Sequence, residues 1–444
     1  MLSSIQARWR AWAGDPSKRL GIGFSIIVVF VLASYFWNSL RPLLNTKIEL
    51  WDYPTFMPLI KPIGDDFREG YFYPAKIVLQ GKDPYTDYFF DYPPFSAVFS
   101  IPFRLFDVDQ AYLMQAGLLF VLNAVTIFIS LKIAYEVFKK GSDQQGNIGR
   151  VIAYGLFPLL ALLLFTSYGF YFSIERGNSD IYAQFFVVLG LWFLASRPKS
   201  VWLPVLFVSM GTHLKFYPAI IFVLIFWKFR WKSLLPIILT NAAFLLVLGP
   251  VRAWEFIRRI IFVQKNPFLF PANHSAASFS DMVNGFLVER AGIAIPTILF
   301  YLLPFLIWGL GVIVLWRRKY SPTNALLLFI LSVPLMELIP STSYDYKLVI
   351  LASPLAIALF LLLQNFSLRG RLAALVEIIG LMFLMLLISR SYYFLPPVLT
   401  NKYPFILVMQ SIFLLMLLGS PAREEAVTDV QLSAKPAPTA GSAT

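Results

Sequence analysis

The sequence predicts an all-α polytopic membrane protein, a bundle of about twelve membrane segments, some short, with non-cytoplasmic loops carrying interfacial helices. Three observations predict it. Of 444 residues, 58% are hydrophobic and only 14% charged, against about 45–50% and 25% in a soluble domain, and mean hydropathy is +0.69. The apolar residues come in runs near the roughly 20 needed to cross a hydrocarbon core about 30 Å thick. The basic residues behind the net charge of +13 lie between those runs, as orientation in a bilayer requires. A soluble enzyme, a nucleic-acid binder and a disulfide scaffold are excluded on these grounds. With no Cys, thiolate metal sites and Cys nucleophiles go too. Two His, His213 and His274, are too few for a His-rich metal site, so neither metal nor cofactor is expected.

In chain order, residues 1–19 form a basic cytoplasmic N-terminus. The run 20–40 has no small-residue cleavage site after it and reads as a retained anchor. Further runs cover 111–138, 151–172, 181–195, 234–250, 293–316, 324–340, 348–364, 372–389 and 405–419. Two shorter runs, 201–212 and 218–227, flank HLKFYP; each reaches only about 18 Å or less. They read as half-depth helices whose turn lines a cavity, where irregular backbone is tolerated. The transmembrane domain thus spans 20–419, and 420–444, rich in Ala, Pro, Ser and Thr, reads as a disordered cytoplasmic tail. Clusters such as Lys139, Lys140 and Arg150, or Arg317, Arg318 and Lys319, share one side with both termini, which the positive-inside rule makes cytoplasmic. No 20–50-residue repeat is visible.

The opposite face carries the polar mass, in a first loop at 41–110 and a second at 251–292. No polar stretch of about 150–200 residues is present to form a soluble nucleotide-binding domain, and there is neither a P-loop nor a G-x-G-x-x-G after a strand. An activated group reaching that face arrives on a lipid, so a lipid-phosphate donor is the simplest choice for an enzyme of this shape.

Asp65 and Asp66 open a helix in GDDFREGYFYPAKIVLQ. Asp at a helix start ordinarily caps a backbone N–H; the chemical alternative is a general base taking a proton from an acceptor hydroxyl. In DPYTDYFFDYPPF, Tyr85 and Tyr92 stand among Asp83, Asp87 and Asp91, in a proline-set turn or as groups that stack on a sugar. Lys215 and His213 lie in HLKFYP. A cation at membrane depth is a functional group by default, here one that binds a lipid phosphate, unless Lys215 snorkels to the interface.

Arg258 and Arg259 share RAWEFIRRIIFV with Trp254, Ile257 and Ile261, which fall on one helical face with Arg252 and Arg259 opposite. That describes an interfacial helix, or arginines that bind phosphate. Asn178 in ERGNSDIYAQ, with Asp180 and Gln184, begins a membrane helix as a cap or contacts substrate. Asn273, His274 and Ser275 in PANHSAAS cap the next helix or donate to substrate. Asp345, Tyr346 and Lys347 sit in STSYDYK between two membrane helices, where Asp345 and Lys347 can also pair locally. Glu337 and Glu377 are intramembrane acids without an evident partner, read as helix–helix hydrogen bonding.

Taken in order, GDDFREGY, GKDPY, DYPPFSAVFSIPF, ERGNSDIYAQ, HLKFYP, NHSAASF and STSYDYKL cover most of the chain. This set resembles glycosyltransferase family 87, polytopic polyprenyl-phosphate-sugar-dependent transferases that include alpha-1,2-mannosyltransferases. The resemblance implies the GT-C architecture. Its first-loop aspartate matches Asp66 best, with Asp65 as the alternative. Its Gly-x-x-Tyr matches Gly81 to Tyr85 with one extra residue. Its Gly-Gln-x-Asn appears as Glu175-Arg176-Gly177-Asn178, keeping the Asn but not the Gln. Its Lys-x-x-Pro matches Lys215 and Pro218, and its Asn-x-Ser matches Asn273 and Ser275. Its Ser-Trp-Asp-His appears as Ser343-Tyr344-Asp345-Tyr346, so Lys347 or Tyr346 is left to replace the His.

The resemblance implies inverting transfer of a sugar, mannose being the family's best-known, from a polyprenyl-phosphate donor to a glycolipid or glycan acceptor. The site faces the non-cytoplasmic side of a bacterial plasma membrane, among membrane lipids and without nucleic acid. Asp66 serves as base, and Lys215, His213 or Arg258 and Arg259 stabilise the leaving phosphate. A membrane transporter or lipid-carrier flippase, with broken helices and buried charges, is the competing class.

Overall fold

A computed structural model describes residues 64–86, 90–139, 143–165, 167–196, 199–262, 273–340, 343–369, 372–388 and 401–419. The run 20–40, the basic N-terminus and the tail 420–444 lie outside the described residues. Among the described residues the chain is helical, with no strand and one isolated bridge, between Asn273 and Tyr344.

The described part of the first loop is itself helical. Helices α1 (Asp65–Phe67) and α2 (Tyr73–Leu79) are joined by a π turn at Arg68–Phe72, and α3 (Pro94–Phe99) follows. Among the described residues the first helix of the bundle is α4 (Val108–Lys139), whose first turn is capped by Asp107 Oδ1 accepting from the Asp109 and Gln110 N–H groups at 3.1 and 2.9 Å. At 1.5 Å per residue its 32 residues reach about 48 Å, so it extends past the hydrocarbon core. Then come α5 (Asp143–Phe165), α6 (Tyr168–Arg176), α7 (Asp180–Ser196), α8 (Trp202–Leu214), α9 (Phe222–Phe229), α10 (Leu234–Leu245) and α11 (Pro250–Phe262). The C-terminal half holds α12 (Ala276–Ala291), α13 (Thr297–Trp316), α14 (Pro322–Leu338), α15 (Ala352–Arg369), α16 (Leu372–Ile388) and α17 (Tyr403–Gly419).

The centre of the bundle is α14 and α15, where every residue of 325–338 and 352–362 is buried. A helix apolar all round needs such a place. Several helices pack on this pair: α17 and α13 lie on α14, while α4, α5 and α16 lie on α15. On α13, Leu299, Leu302, Leu303, Leu306, Leu310 and Ile313 stay exposed, a helical face for lipid rather than water.

Among the described residues, three stretches suffice by length and composition to cross a membrane: Val108–Phe138, Thr297–Trp316 and Asp345–Phe366. Two bent pairs raise the number to five: Ile148–Leu163 with Tyr168–Arg176 at 63°, and Tyr217–Leu245 with Pro250–Arg259 at 96°. Five more apolar helices are shorter, at 10–17 residues. The sequence run 151–172 is therefore broken, with Ser167 capping a new helix by accepting from the Phe170 N–H at 3.2 Å. Likewise 218–227 is no isolated half-helix; it continues through the 3-10 turn Arg230–Ser233 into α10.

Candidate active site

Two glycines bring the first loop onto the end of α6. Gly177 closes that helix with φ 65°, and Gly64 precedes α1 with φ 72°, the left-handed region that glycine enters without steric cost. A Cβ on Gly177 would lie 2.6 Å from Phe67 Cβ. The Gly64 N–H donates to the Glu175 carbonyl at 2.7 Å. On the other side, Tyr112 OH donates to the Ile174 carbonyl at 2.8 Å and Gln115 Nε2 to the Gly177 carbonyl at 3.1 Å. The turn between α6 and α7 is thus fixed to both α1 and α4.

That fixation sets Arg176 against the two acids. Its Nε donates to Asp66 Oδ1 at 2.9 Å, its Nη2 donates to the same oxygen, and Nη2 also reaches Asp65 Oδ2 at 3.2 Å. Asn178 Nδ2 donates to Asp66 Oδ2 at 2.8 Å. The Asp66 and Arg176 side chains are each 16% exposed, Asp65 34%. The capping expectation is corrected here: Gly64 is the N-cap and no side chain caps α1, because the guanidinium and amide offer the carboxylates better donors.

The second part of the site starts at Asp180, fully buried at the first turn of α7. Its Oδ1 accepts from Tyr217 OH, and its Oδ2 lies 3.8 Å from Lys215 Nζ. Lys215 is extended where α8 ends. Its ammonium donates to Tyr92 OH at 3.3 Å and lies 4.4 Å from that ring's centroid. Tyr92 stacks on Tyr71 at 5.0 Å, and Tyr71 OH shares a 2.5 Å hydrogen bond with Ser179 Oγ. Lys347 Nζ sits 4.6 Å from the Tyr217 ring centroid, and Tyr346 packs on Phe172 at 5.4 Å and Tyr344 at 5.7 Å. The Asn178 that donates to Asp66 and the Asp180 that lies 3.8 Å from Lys215 are two residues apart in one turn. The segment 176–180 therefore ties Asp66 to Lys215, to Tyr92 through Ser179 and Tyr71, and to Lys347 through the Tyr217 that donates to Asp180.

Other candidates find hydrogen-bond partners within the protein. His274 Nδ1 lies 3.1 Å from Asp345 Oδ1, and its Nε2 lies 2.9 Å from Glu337 Oε2 and 3.2 Å from Ser343 Oγ. This corrects the picture of Glu337 as an acid without a partner, and Asp345 pairs with His274. Asn273 Oδ1 accepts from the Ser275 and Ser343 N–H groups at 3.1 and 3.0 Å, and Ser275 caps α12 through the Ser278 N–H at 3.2 Å. All three residues of the 273–275 segment are fully buried, and buried polar groups need such partners. They support the segment that carries Tyr346 and Lys347.

His213 parts from Lys215. Its Nε2 meets Asn241 Oδ1 on α10 at 3.2 Å, since the helical His213 and the extended Lys215 point to different neighbours. Arg259 also turns inward rather than towards headgroups. It donates to the Phe90 carbonyl at 3.3 Å, to Asp91 Oδ1 at 3.4 Å and to the Tyr85 carbonyl. The carbonyls of Tyr85 and Phe90 there need a donor. Tyr85 is buried with its OH donating to the Tyr92 carbonyl at 2.8 Å, so it shapes the loop. Arg258 is exposed and pairs with Glu255, Nε to Oε2, at 3.0 Å. Trp254 faces outward, and Ala253 and Phe256 form the buried side of α11.

Arg176 and Tyr217 are the members that the sequence did not mark as a site, and Asp180 stood there only beside Asn178. Arg176 stood out only as a departure from a motif, and nothing local to it signals partners 110 residues away.

The fold and these buried charges define a membrane protein with an acid and ammonium groups gathered at one site. A family model of glycosyltransferase family 87 matches residues 89–342, more than half of the chain, and the chain belongs to that family. It is a glycosyltransferase, and the transporter alternative falls away. The match takes in Tyr92, Arg176, Asn178, Asp180 and Lys215; Asp65 and Asp66 precede it, and Asp345, Tyr346 and Lys347 follow it. No curated protein matches the chain.

Proposed function

We propose that the enzyme moves mannose from a polyprenyl-phosphate donor to a glycolipid or glycan acceptor, with inversion, on the non-cytoplasmic face of the plasma membrane. The membrane domain covers 20–419 in this reading, and the loops 41–110 and 251–292 lie on the reacting side. The observation that supports it is a carboxylate, Asp66, and a buried ammonium, Lys215, 8% exposed in its side chain, both held by partners on the 176–180 turn. The acceptor hydroxyl attacks the anomeric carbon as the bond from that carbon to the phosphate oxygen breaks. The proton passes to Asp66, and the electron pair leaves with the polyprenyl phosphate. That leaving group is already anionic, so it calls for cationic stabilisation rather than an acid. Lys215 and Lys347 supply it, and Tyr92 and Tyr346 contact the sugar. A beta-linked donor then gives an alpha linkage.

Asp66 is favoured over Asp65 as base because it is the more enclosed of the two and is oriented by Asn178 as well as Arg176. The test is incubation of the purified enzyme with radiolabelled polyprenyl-phosphate mannose, or with the nucleotide sugar, and membrane lipid extract as acceptor. An alpha-linked product from the lipid donor alone is expected. Use of the nucleotide sugar overturns the donor, and an unaltered lipid donor overturns the reading.

A further inference from the structure

We infer that Arg176 is a positioning residue that holds Asp66 with a single lone pair, on Oδ2, left to take the acceptor's proton. This rests on the reading of Asp66 as the base. A carboxylate offers about four lone-pair sites. Arg176 fills two on Oδ1, through Nε at 2.9 Å and through Nη2, and Asn178 Nδ2 fills one on Oδ2 at 2.8 Å. The remaining site is the one a substrate hydroxyl can use.

The guanidinium suits this task because its N–H groups are held in one plane, so two of them fix the carboxylate's rotation where an ammonium would fix only its position. Arg176 is itself immobilised. It is the last residue of α6, and the carbonyls on either side of it, those of Glu175 and Gly177, are held by Gly64 and Gln115. Nη2 also bridges to Asp65 Oδ2, so one cation relieves the repulsion between adjacent acids. Arg176 carries no acceptor and takes no proton during transfer. It acts through Asp66.

A thermodynamic cycle in the radiolabelled transfer assay tests this, using wild type, Arg176→Ala, Asp66→Asn and the double variant. Arg176→Ala is expected to lower kcat about 10- to 100-fold while the donor KM stays within about threefold. In the Asp66→Asn background the same change is expected to cost less than about twofold, because residues acting as a unit are not additive. Guanidinium chloride added to Arg176→Ala should restore part of the rate. Arg176→Lys, which keeps the charge and protects against a folding failure, should fall between wild type and Arg176→Ala. An equal cost of Arg176→Ala in both backgrounds, a rise in KM at unchanged kcat, or wild-type kcat in Arg176→Lys overturns the inference. Near-normal transfer by Asp66→Asn alone overturns the base assignment instead.

Discussion

At the scale of single residues, Asp65 and Asp66 are neighbours in sequence with different surroundings. Asp66 receives donors on both oxygens, whereas Asp65 shares only one N–H of Arg176 and is twice as exposed. Asp65→Asn is accordingly expected to lower the transfer rate by less than about tenfold. Lys215→Met, close in volume but without charge, is expected to lower kcat by about two to three powers of ten, the scale of losing one group that stabilises developing negative charge. Steady-state rates with labelled donor check both. Lys215 was legible in the sequence because a cation inside an apolar run is costly and conspicuous. Arg176 was not, because an arginine at a helix end is ordinary and its carboxylate partners are set by tertiary packing alone.

At the scale of elements, the turn from α6 to α7 and the 273–275 segment carry the precision of the site. Gly177→Ala puts a Cβ at φ 65°, 2.6 Å from Phe67 Cβ, and is expected to destabilise the protein by about 1–3 kcal/mol, read as a lower melting temperature in detergent. His274 lies outside the spanning stretches. Burial pulls its pKa down, but the carboxylates of Asp345 and Glu337, which accept from the charged ring, outweigh that and hold it above the ordinary 6.5. A raised pKa stabilises the fold fully below about pH 6.5, and the contribution is lost as pH climbs through the folded-state value. Melting temperature should therefore fall as pH rises above that range, and His274→Gln should flatten the dependence. The sequence marked these motifs as polar breaks between apolar runs. It could not assign their partners, because Asn273, His274 and Ser275 serve equally well as caps, struts or ligands until the helix ends meet.

At the scale of the whole molecule, the apolar runs made the helical membrane bundle legible, since few folds bury so much apolar surface in so few charges. The breaks were less legible. The bend between α5 and α6 and the continuation of α9 into α10 depend on neighbours, not on local composition. Orientation is testable directly because the chain has no Cys. Asp109→Cys, whose native side chain is 73% exposed, is expected to react with an impermeant maleimide from outside intact cells, and Lys199→Cys only after lysis. The reverse pattern would invert the topology and move the site to the nucleotide-rich side.

The most direct measurement is the initial rate of mannose transfer from polyprenyl phosphate by purified Asp66→Asn beside wild type. Loss of two to four powers of ten, about the range for removing a general base, with donor binding kept, is the predicted result. A rate within a few-fold of wild type would contradict the account.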